Sequence, residues 1–343
     1  EQAYADPDFC AFADLYGKGR SDKAAGDTIL HVYDFLRALP DYDRKLDEFL
    51  EPWQAGYGFD ATCWHDLLLA EAARAARAGR ELLCAAWNDC KEDLVLARIE
   101  AENKGKTDAA RAKAVAGVND KFAEPLERLE TAAALLGEVE RLAEAGEWTP
   151  LYDRLTPYVL GMEPMPGLKG MKKRLTGEHK AAVKTRADEA AALFGQILEL
   201  ISCSEDEAEA DRAAALPRLR ALFAAVRAFD ARFAAKKQER KLLEFSDFEH
   251  QALRLLRSPD GTPTPLCETI RQNYAAVMVD EYQDTNALQD ALYRCLASPA
   301  GDDLFLVGDL KQSIYRFRQA DPSIFREKLD AWPLLPGGAA RPR

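Results

Sequence analysis

Apolar and charged residues recur at helical spacing through most of the chain, most persistently between Ala61 and Glu92. There Trp64, Leu67, Leu68, Ala72, Ala75, Ala76, Leu83, Ala86 and Trp87 recur with charge between them. Residues three and four apart share a helix face, so this pattern predicts one long amphipathic helix, with Gly79 as the place for a bend. Upstream, the clusters Phe9, Phe12, Leu15, Tyr16 and Ile29, Leu30, Val32, Tyr33, Phe35, Leu36 are interrupted by Gly and Asp, which predicts short helices over residues 1–60. Downstream, helices are predicted over Ala109–Ala145, with Pro125 as a restart, and over Gly177–Cys203, after the loop Gly161–Gly170. The acidic run Ser202–Asp211 opens a further long helix reaching Leu243, with Pro217 in its early turns or marking a restart. Ser246 and Glu249 fit a capping box ahead of Leu253, Leu255 and Leu256.

The period changes at Ala276. Ala-Val-Met-Val is a β-branched apolar run that stops at the paired carboxylates Asp280 and Glu281, which predicts a buried strand delivering acids at its C-terminal end. A helical segment, Leu288–Leu296, separates it from a second apolar run, Leu304–Val307, which ends at Gly308-Asp309. Strand, helix and strand within about thirty residues is the size of one βαβ crossover. Ligands of open α/β sheets bind outside the carboxyl ends of the strands, so Asp280, Glu281, Asp309 and Gln312 are expected to face one crevice. Such a crevice suits nucleotide hydrolysis: one carboxylate holds Mg²⁺ through its waters while its neighbour takes a proton from the attacking water. For an isolated Asp-Glu pair the competing reading is a cap on the next helix.

Charge and cysteine content narrow the classes. The 343 residues carry 46 basic and 58 acidic side chains, a net charge of −12, which argues against a uniformly basic nucleic-acid coat and confines any DNA contact to a local patch. The densest such patch is Lys172-Lys173-Arg174, with Lys180, Lys184 and Arg186 following on the next helix; phosphate contacts without base readout are the expectation. Seven scattered cysteines with no Cys-x-x-Cys pair read as reduced thiols in a cytoplasmic protein, and four dispersed histidines give no metal motif. No apolar run approaches the roughly 18 residues of a membrane span, so no membrane partner is expected. The chain opens at Glu1 without an initiator methionine, and the expectation is a piece of a longer polypeptide.

Two blocks carry a specific resemblance. Asp280-Glu281-Tyr282-Gln283-Asp284-Thr285-Asn286 resembles the second motif of the UvrD-like superfamily 1 helicases, with Tyr at 282 where many relatives carry Phe. Gly308-Asp309-Leu310-Lys311-Gln312-Ser313-Ile314-Tyr315-Arg316-Phe317-Arg318 resembles their third motif. Lys311 and the run Gln319–Phe325 are similar to the AddA/RecB branch, closest to the helicase/nuclease A subunits of AddAB complexes. Asp247-Phe248 resembles an element those helicases carry before the second motif.

The resemblance implies a mainly α fold: a helical insertion over residues 1–243, followed over 244–343 by part of a RecA-like parallel α/β motor of the P-loop NTPase type. The phosphate-binding loop itself is missing from these residues. Gly105-Lys106-Thr107 is rejected, because the first glycine position is Glu100 and the preceding pattern is helical. By resemblance Asp280 coordinates the Mg²⁺ of Mg-ATP, Glu281 is the general base, Gln312 senses the γ-phosphate and Asp309 lines the nucleotide side. Tyr315 and Phe317, on one face if extended, stack on single-stranded bases and Arg318 meets the strand. The implied function is ATP-dependent unwinding of duplex DNA with translocation on single strands in double-strand break repair and recombination, together with an AddB-type partner. The competing class is a non-catalytic helical module that carries a motor remnant and docks DNA or a partner subunit.

Overall fold

The computed structural model describes residues 2–16, 23–54, 56–104, 107–162 and 175–332. In chain order the helices are α1 (Pro7–Tyr16), α2 (Lys23–Leu36), α3 (Tyr42–Leu50), α4 (Cys63–Lys104), α5 (Asp108–Glu144), α6 (Trp148–Val159), α7 (Lys180–Leu200), α8 (Glu205–Arg240), α9 (Phe245–Leu256) and α10 (Pro265–Arg271). Strand β1 (Val277–Val279), α11 (Ala287–Leu296), strand β2 (Leu304–Leu306) and α12 (Pro322–Ala331) complete them. The chain divides into two compact units, Pro52–Ala214 and the pair Glu1–Glu51 with Ala215–Arg343.

The first unit is helical, built on α4 packed against α5 and α7. Leu83, Leu129, Leu136, Leu151, Leu155, Ala190 and Ile197 are buried without measurable exposure. Helix α4 runs unbroken through Gly79 for 42 residues to Lys104. A Cβ at Gly79 would come within 2.8 Å of Leu136 Cδ1, so the glycine serves close approach of α5. Pro125 does not restart a helix: it is buried inside the continuous α5, where packing along the helix outweighs one lost backbone hydrogen bond. Helix α6 was not anticipated; Trp148, Leu151, Leu155 and Tyr158 have core spacing, but Pro150 and Pro157 interrupt the pattern. At the start of α7, Asp93 of α4 accepts hydrogen bonds from Glu178 N at 3.1 Å, His179 N at 3.1 Å and His179 Nδ1 at 2.9 Å. A buried carboxylate thereby satisfies orphan donors at a helix N-terminus.

In the second unit, Phe9, Phe12, Tyr33, Leu36 and Leu46 pack against Ala221, Leu222 and Val226 of α8. Residues 1–51 and the later part of α8 thus fall in the same compact unit as the α/β segment. Helix α8 continues through Pro217 to Arg240 and stops where Lys241 turns left-handed, at φ 54°. Helix α9 begins at Glu244, whose N–H donates to Asp247 Oδ2 at 2.9 Å. The expected Ser246–Glu249 box is not formed: Ser246 Oγ accepts from Arg37 and Glu249 Oε1 from Gln289 Nε2.

Strands β1 and β2 are parallel, with Val277 opposite Leu304, Met278 opposite Phe305 and Val279 opposite Leu306. Helix α11 is the crossover between them, as the strand–helix–strand pattern predicts. The strands are not buried, however. Met278 is 76 % and Phe305 60 % exposed, because no described element covers that face of the sheet.

Candidate functional site

The two strands end in turns that interlock. Tyr282 N donates to Val307 O at 2.8 Å and Val307 N to Val279 O at 2.9 Å, which carries the β1–β2 pairing past the strand ends into the loops. Asp280 and Glu281 sit exposed at this edge, and Asp280 Oδ1 accepts from Glu281 N at 2.9 Å. Glu281 is left-handed at φ 51°, a conformation that costs a non-glycine residue roughly 1–2 kcal/mol. It turns the chain sharply into the 3₁₀ segment Tyr282–Asp284. Local strain at a residue with candidate chemistry motivates a functional hypothesis for it.

Gln283 joins the turns, a role that the sequence pattern did not disclose. It is 1 % exposed; its Nε2 donates to Glu281 Oε2 at 2.7 Å and its Oε1 accepts from Asp309 N at 3.0 Å. A Cβ at Gly308 would collide with the Gln283 side chain and the Phe325 ring, so the second turn needs glycine to sit this close. Asp309 Oδ1 accepts from Lys311 N at 3.0 Å, and its Oδ2 takes a longer bond from Gln312 Nε2 at 3.4 Å. Glu281, Gln283, Asp309 and Gln312 therefore form one hydrogen-bonded series. Of the four residues expected to face one crevice, Glu281, Asp309 and Gln312 are linked through the side chain of Gln283, and Asp280 adjoins them only through the backbone N–H of Glu281.

The carboxylates present suit a hard divalent ion that keeps most of its waters. Among the described residues no group of three or more His, Cys, Asp or Glu could enclose a metal. An exposed Asp280 with one oxygen uncommitted to donors among the described residues fits Mg²⁺ shared with phosphates rather than an all-protein cage.

The segment that carries Phe317 is not extended; Arg316–Arg318 is a 3₁₀ turn. The rings of Tyr315 and Phe317 nevertheless lie 5.8 Å apart at 48°, and Arg318 Cζ stands 5.2 Å and 5.6 Å from their centroids. Phe317 is 74 % exposed, unlike a core residue. Lys172, Lys173 and Arg174 lie outside the described residues. Lys180 and Lys184 are exposed on α7, whereas Arg186 is engaged by Asp89. Asp247 is a structural anchor: burial raises its pKa, but hydrogen bonds from Lys237 and Glu244 N and the Arg37 charge outweigh this and hold it below the ordinary value.

Comparison with known proteins converges on this region. Residues 168–332 match the UvrD/REP helicase N-terminal domain. A protein of Staphylococcus aureus (strain USA300 / TCH1516), named as the A subunit of an ATP-dependent helicase/nuclease, is 30 % identical over 355 residues, covering 99 % of this chain and 26 % of the relative. Its namesake in Acetivibrio thermocellus is 27 % identical over 336 residues, 95 % of this chain and 24 % of that protein. In S. aureus strain MRSA252 a protein of the same name is 42 % identical over 147 residues, 42 % of this chain and 12 % of the relative. The chain spans about a quarter of the length of the first two relatives. Through residues 168–332 the chain therefore belongs to the UvrD/REP helicase N-terminal domain family, and over most of its length it is a homologue of ATP-dependent helicase/nuclease proteins of the AddA type.

Proposed function

We propose that these residues are part of an ATP-dependent DNA helicase of AddA type, one that translocates on single strands and unwinds duplex DNA in break repair and recombination. The observation that carries the reading is the series Glu281–Gln283–Asp309–Gln312 at the ends of two parallel strands, three residues before an exposed aromatic pair. In this reading Asp280 holds Mg²⁺, which supplies charge neutralisation on the phosphates of ATP. Gln283 donates to one oxygen of Glu281, fixing the carboxylate and leaving the other oxygen to take the proton of an attacking water. Gln312 and Asp309 read the nucleotide's terminal phosphate side. Tyr315 and Phe317 offer faces to unpaired bases, with Arg318 beside them for phosphate or base contact, and Lys172, Lys173 and Arg174 add backbone contacts.

The α/β segment would be part of a RecA-like motor over 244–343, joined in its compact unit by residues 1–51, and the helical residues between would contain the insertion. Asp284 Oδ1 is buried without a partner among the described residues, and the Met278–Phe305 face is bare; both fit a motor completed by further chain. An AddB-type protein is the proposed partner. Taken alone, the 343 residues favour the docking-module reading, since their sequence has no phosphate cradle.

The test compares this chain with the longer protein. Single-strand-dependent ATP turnover is expected in the longer protein and not in the 343 residues. Turnover by the short chain, abolished by Glu281→Gln, would overturn the proposed need for a separate phosphate cradle; no turnover by either would overturn the helicase reading.

A further inference from the structure

Behind the exposed turns lies a buried charge cluster that the roles above do not use. Asp290 of α11, 7 % exposed, accepts a hydrogen bond from the Tyr282 hydroxyl and pairs with Lys328 Nζ of α12 at 2.8 Å and with Arg294 Nε at 2.8 Å. Lys328 is itself 7 % exposed and stands 5.3 Å from the Tyr282 ring centroid. Taking a carboxylate and an ammonium out of water is costly unless their geometry is well satisfied, and a cluster of directional bonds holds its elements in one register more strictly than apolar contact does.

Helix α12 is the element so held, and it meets the turns that follow both strands. Its Phe325 ring meets Tyr282 edge-on at 5.5 Å and 83°, and the same ring closes under Gly308. At its first turn Asp321 N donates to Thr285 O at 3.0 Å. Upstream, Ala320 N donates to Tyr315 O at 3.4 Å across the left-handed Gln319, so the aromatic turn is tied directly to the start of α12. A displacement of the carboxylate turn would move the Tyr282 hydroxyl, and Asp290 with Lys328 would pass that displacement to α12.

We propose that Asp290 is a positioning residue that, with Lys328, couples the carboxylate turn at Asp280–Glu281 to the aromatic turn at Tyr315–Phe317 through α12. This rests on the helicase reading. The experiment uses the full-length protein with Asp290→Asn, Lys328→Met, the double variant, and the milder Tyr282→Phe and Lys328→Arg. ATP turnover is measured with and without single-stranded DNA, alongside ATP consumed per base pair unwound and thermal melting.

Turnover without DNA and KM for ATP are expected to hold in Asp290→Asn and Lys328→Met. Stimulation by DNA should fall about fivefold or more, the scale of a coupling between two sites, and ATP per base pair should rise. The double variant should be no worse than either single one, since both break one linkage, and Lys328→Arg should restore coupling. Tyr282→Phe keeps the ring and its packing, so it should lower stimulation in the same direction even if Asp290→Asn fails to fold. Unchanged stimulation in Tyr282→Phe and Lys328→Met, or a parallel fall of basal and stimulated turnover tracking lost thermal stability, would overturn the proposal. Glu281→Gln run beside them separates the two claims: persistence of its turnover rejects the helicase mechanism, while its loss with coupling intact in the other variants rejects only the role of Asp290.

Discussion

The helical unit Pro52–Ala214 and the α/β segment of the other unit treat the same residue types in opposite ways. In the first, large apolar side chains form the interior, and its few buried charges are matched by partners: Arg77 and Arg80 both pair with Glu140 at 2.8 Å along the seam of α4 and α5, and Asp93 caps α7. In the second, Met278, Phe305, Ile314 and Phe317 face outward while Asp290, Lys328, Gln283 and Thr285 are buried. The first arrangement follows chiefly from burial of apolar area. The second spends stability on directional contacts that hold two turns in place, which is where local rules are expected to fail around a working site.

The sharpest way to break this contrast is chemical. In the longer protein Glu281→Gln should lower ATP turnover by roughly 10²–10⁴-fold while nucleotide binding persists, because the amide keeps the shape and loses the base. The same substitution should leave folding nearly untouched, since Glu281 is exposed. Turnover within a few-fold of the wild type, measured under saturating single-stranded DNA, would reduce the carboxylate to a turn residue.

Deleting apolar volume should do the reverse. Leu151→Ala removes a side chain with no exposure from the helical core and should cost about 2–5 kcal/mol in denaturant unfolding. Phe305→Ala in the 343-residue chain should stay within about 0.5 kcal/mol, because that ring is already in solvent. Comparable losses at both positions would show that the sheet face is covered in solution.

The two proposed DNA surfaces separate by salt. Tyr315→Ala and Phe317→Ala should each weaken single-strand binding by about 1–3 kcal/mol with little change in salt dependence. Removing charge at Lys172, Lys173 and Arg174 should instead flatten the log–log salt slope by nearly one unit per contact. Aromatic variants that bind single strands normally and only melt earlier would assign those rings to packing.

What the sequence disclosed follows the same division. Periodicity located α4, α5, α7 and α8, because a helix that buries one face must repeat every three to four residues. The restarts it offered at Pro125 and, as one of two alternatives, at Pro217 do not occur, because helices this long absorb a proline through packing. No local pattern shows that Phe9 and Leu36 pack on Val226. In the α/β segment the hydrogen-bonded series joins three of the residues that the motifs single out, Glu281, Asp309 and Gln312. The members that join them were not legible in the sequence. Gln283 looked like one more polar residue, and Lys328 shares a face with Phe325, a spacing that signals a buried cation only once its anion, Asp290, is known.

The smallest effect is a pH dependence with opposite signs in the two units. His250 of α9 is buried, and burial with the nearby Arg37 charge pushes its pKa down to about 4; its Nε2–H donates to Arg37 O at 3.0 Å in the neutral form. Between that value and the ordinary value near 6.5 the unfolded chain binds a proton that the folded chain refuses. Stability present above the unfolded value is therefore lost as pH falls toward 4, by no more than about 2 kcal/mol after allowing for solvent screening. His179 in the helical unit is shifted the other way, because Asp93 accepts its hydrogen bond and raises its pKa. Its contribution is complete below the unfolded value and disappears as pH rises through the folded one. Amide exchange protection, corrected for intrinsic rates and read separately in α9 and α7, should fall on the acid side in the first and on the alkaline side in the second. His250→Gln, which keeps a donor for Arg37 O, should flatten only the acid limb, and His179→Gln only the alkaline one. If both limbs flatten with either variant, the units unfold as one body and their contrast is confined to surface chemistry.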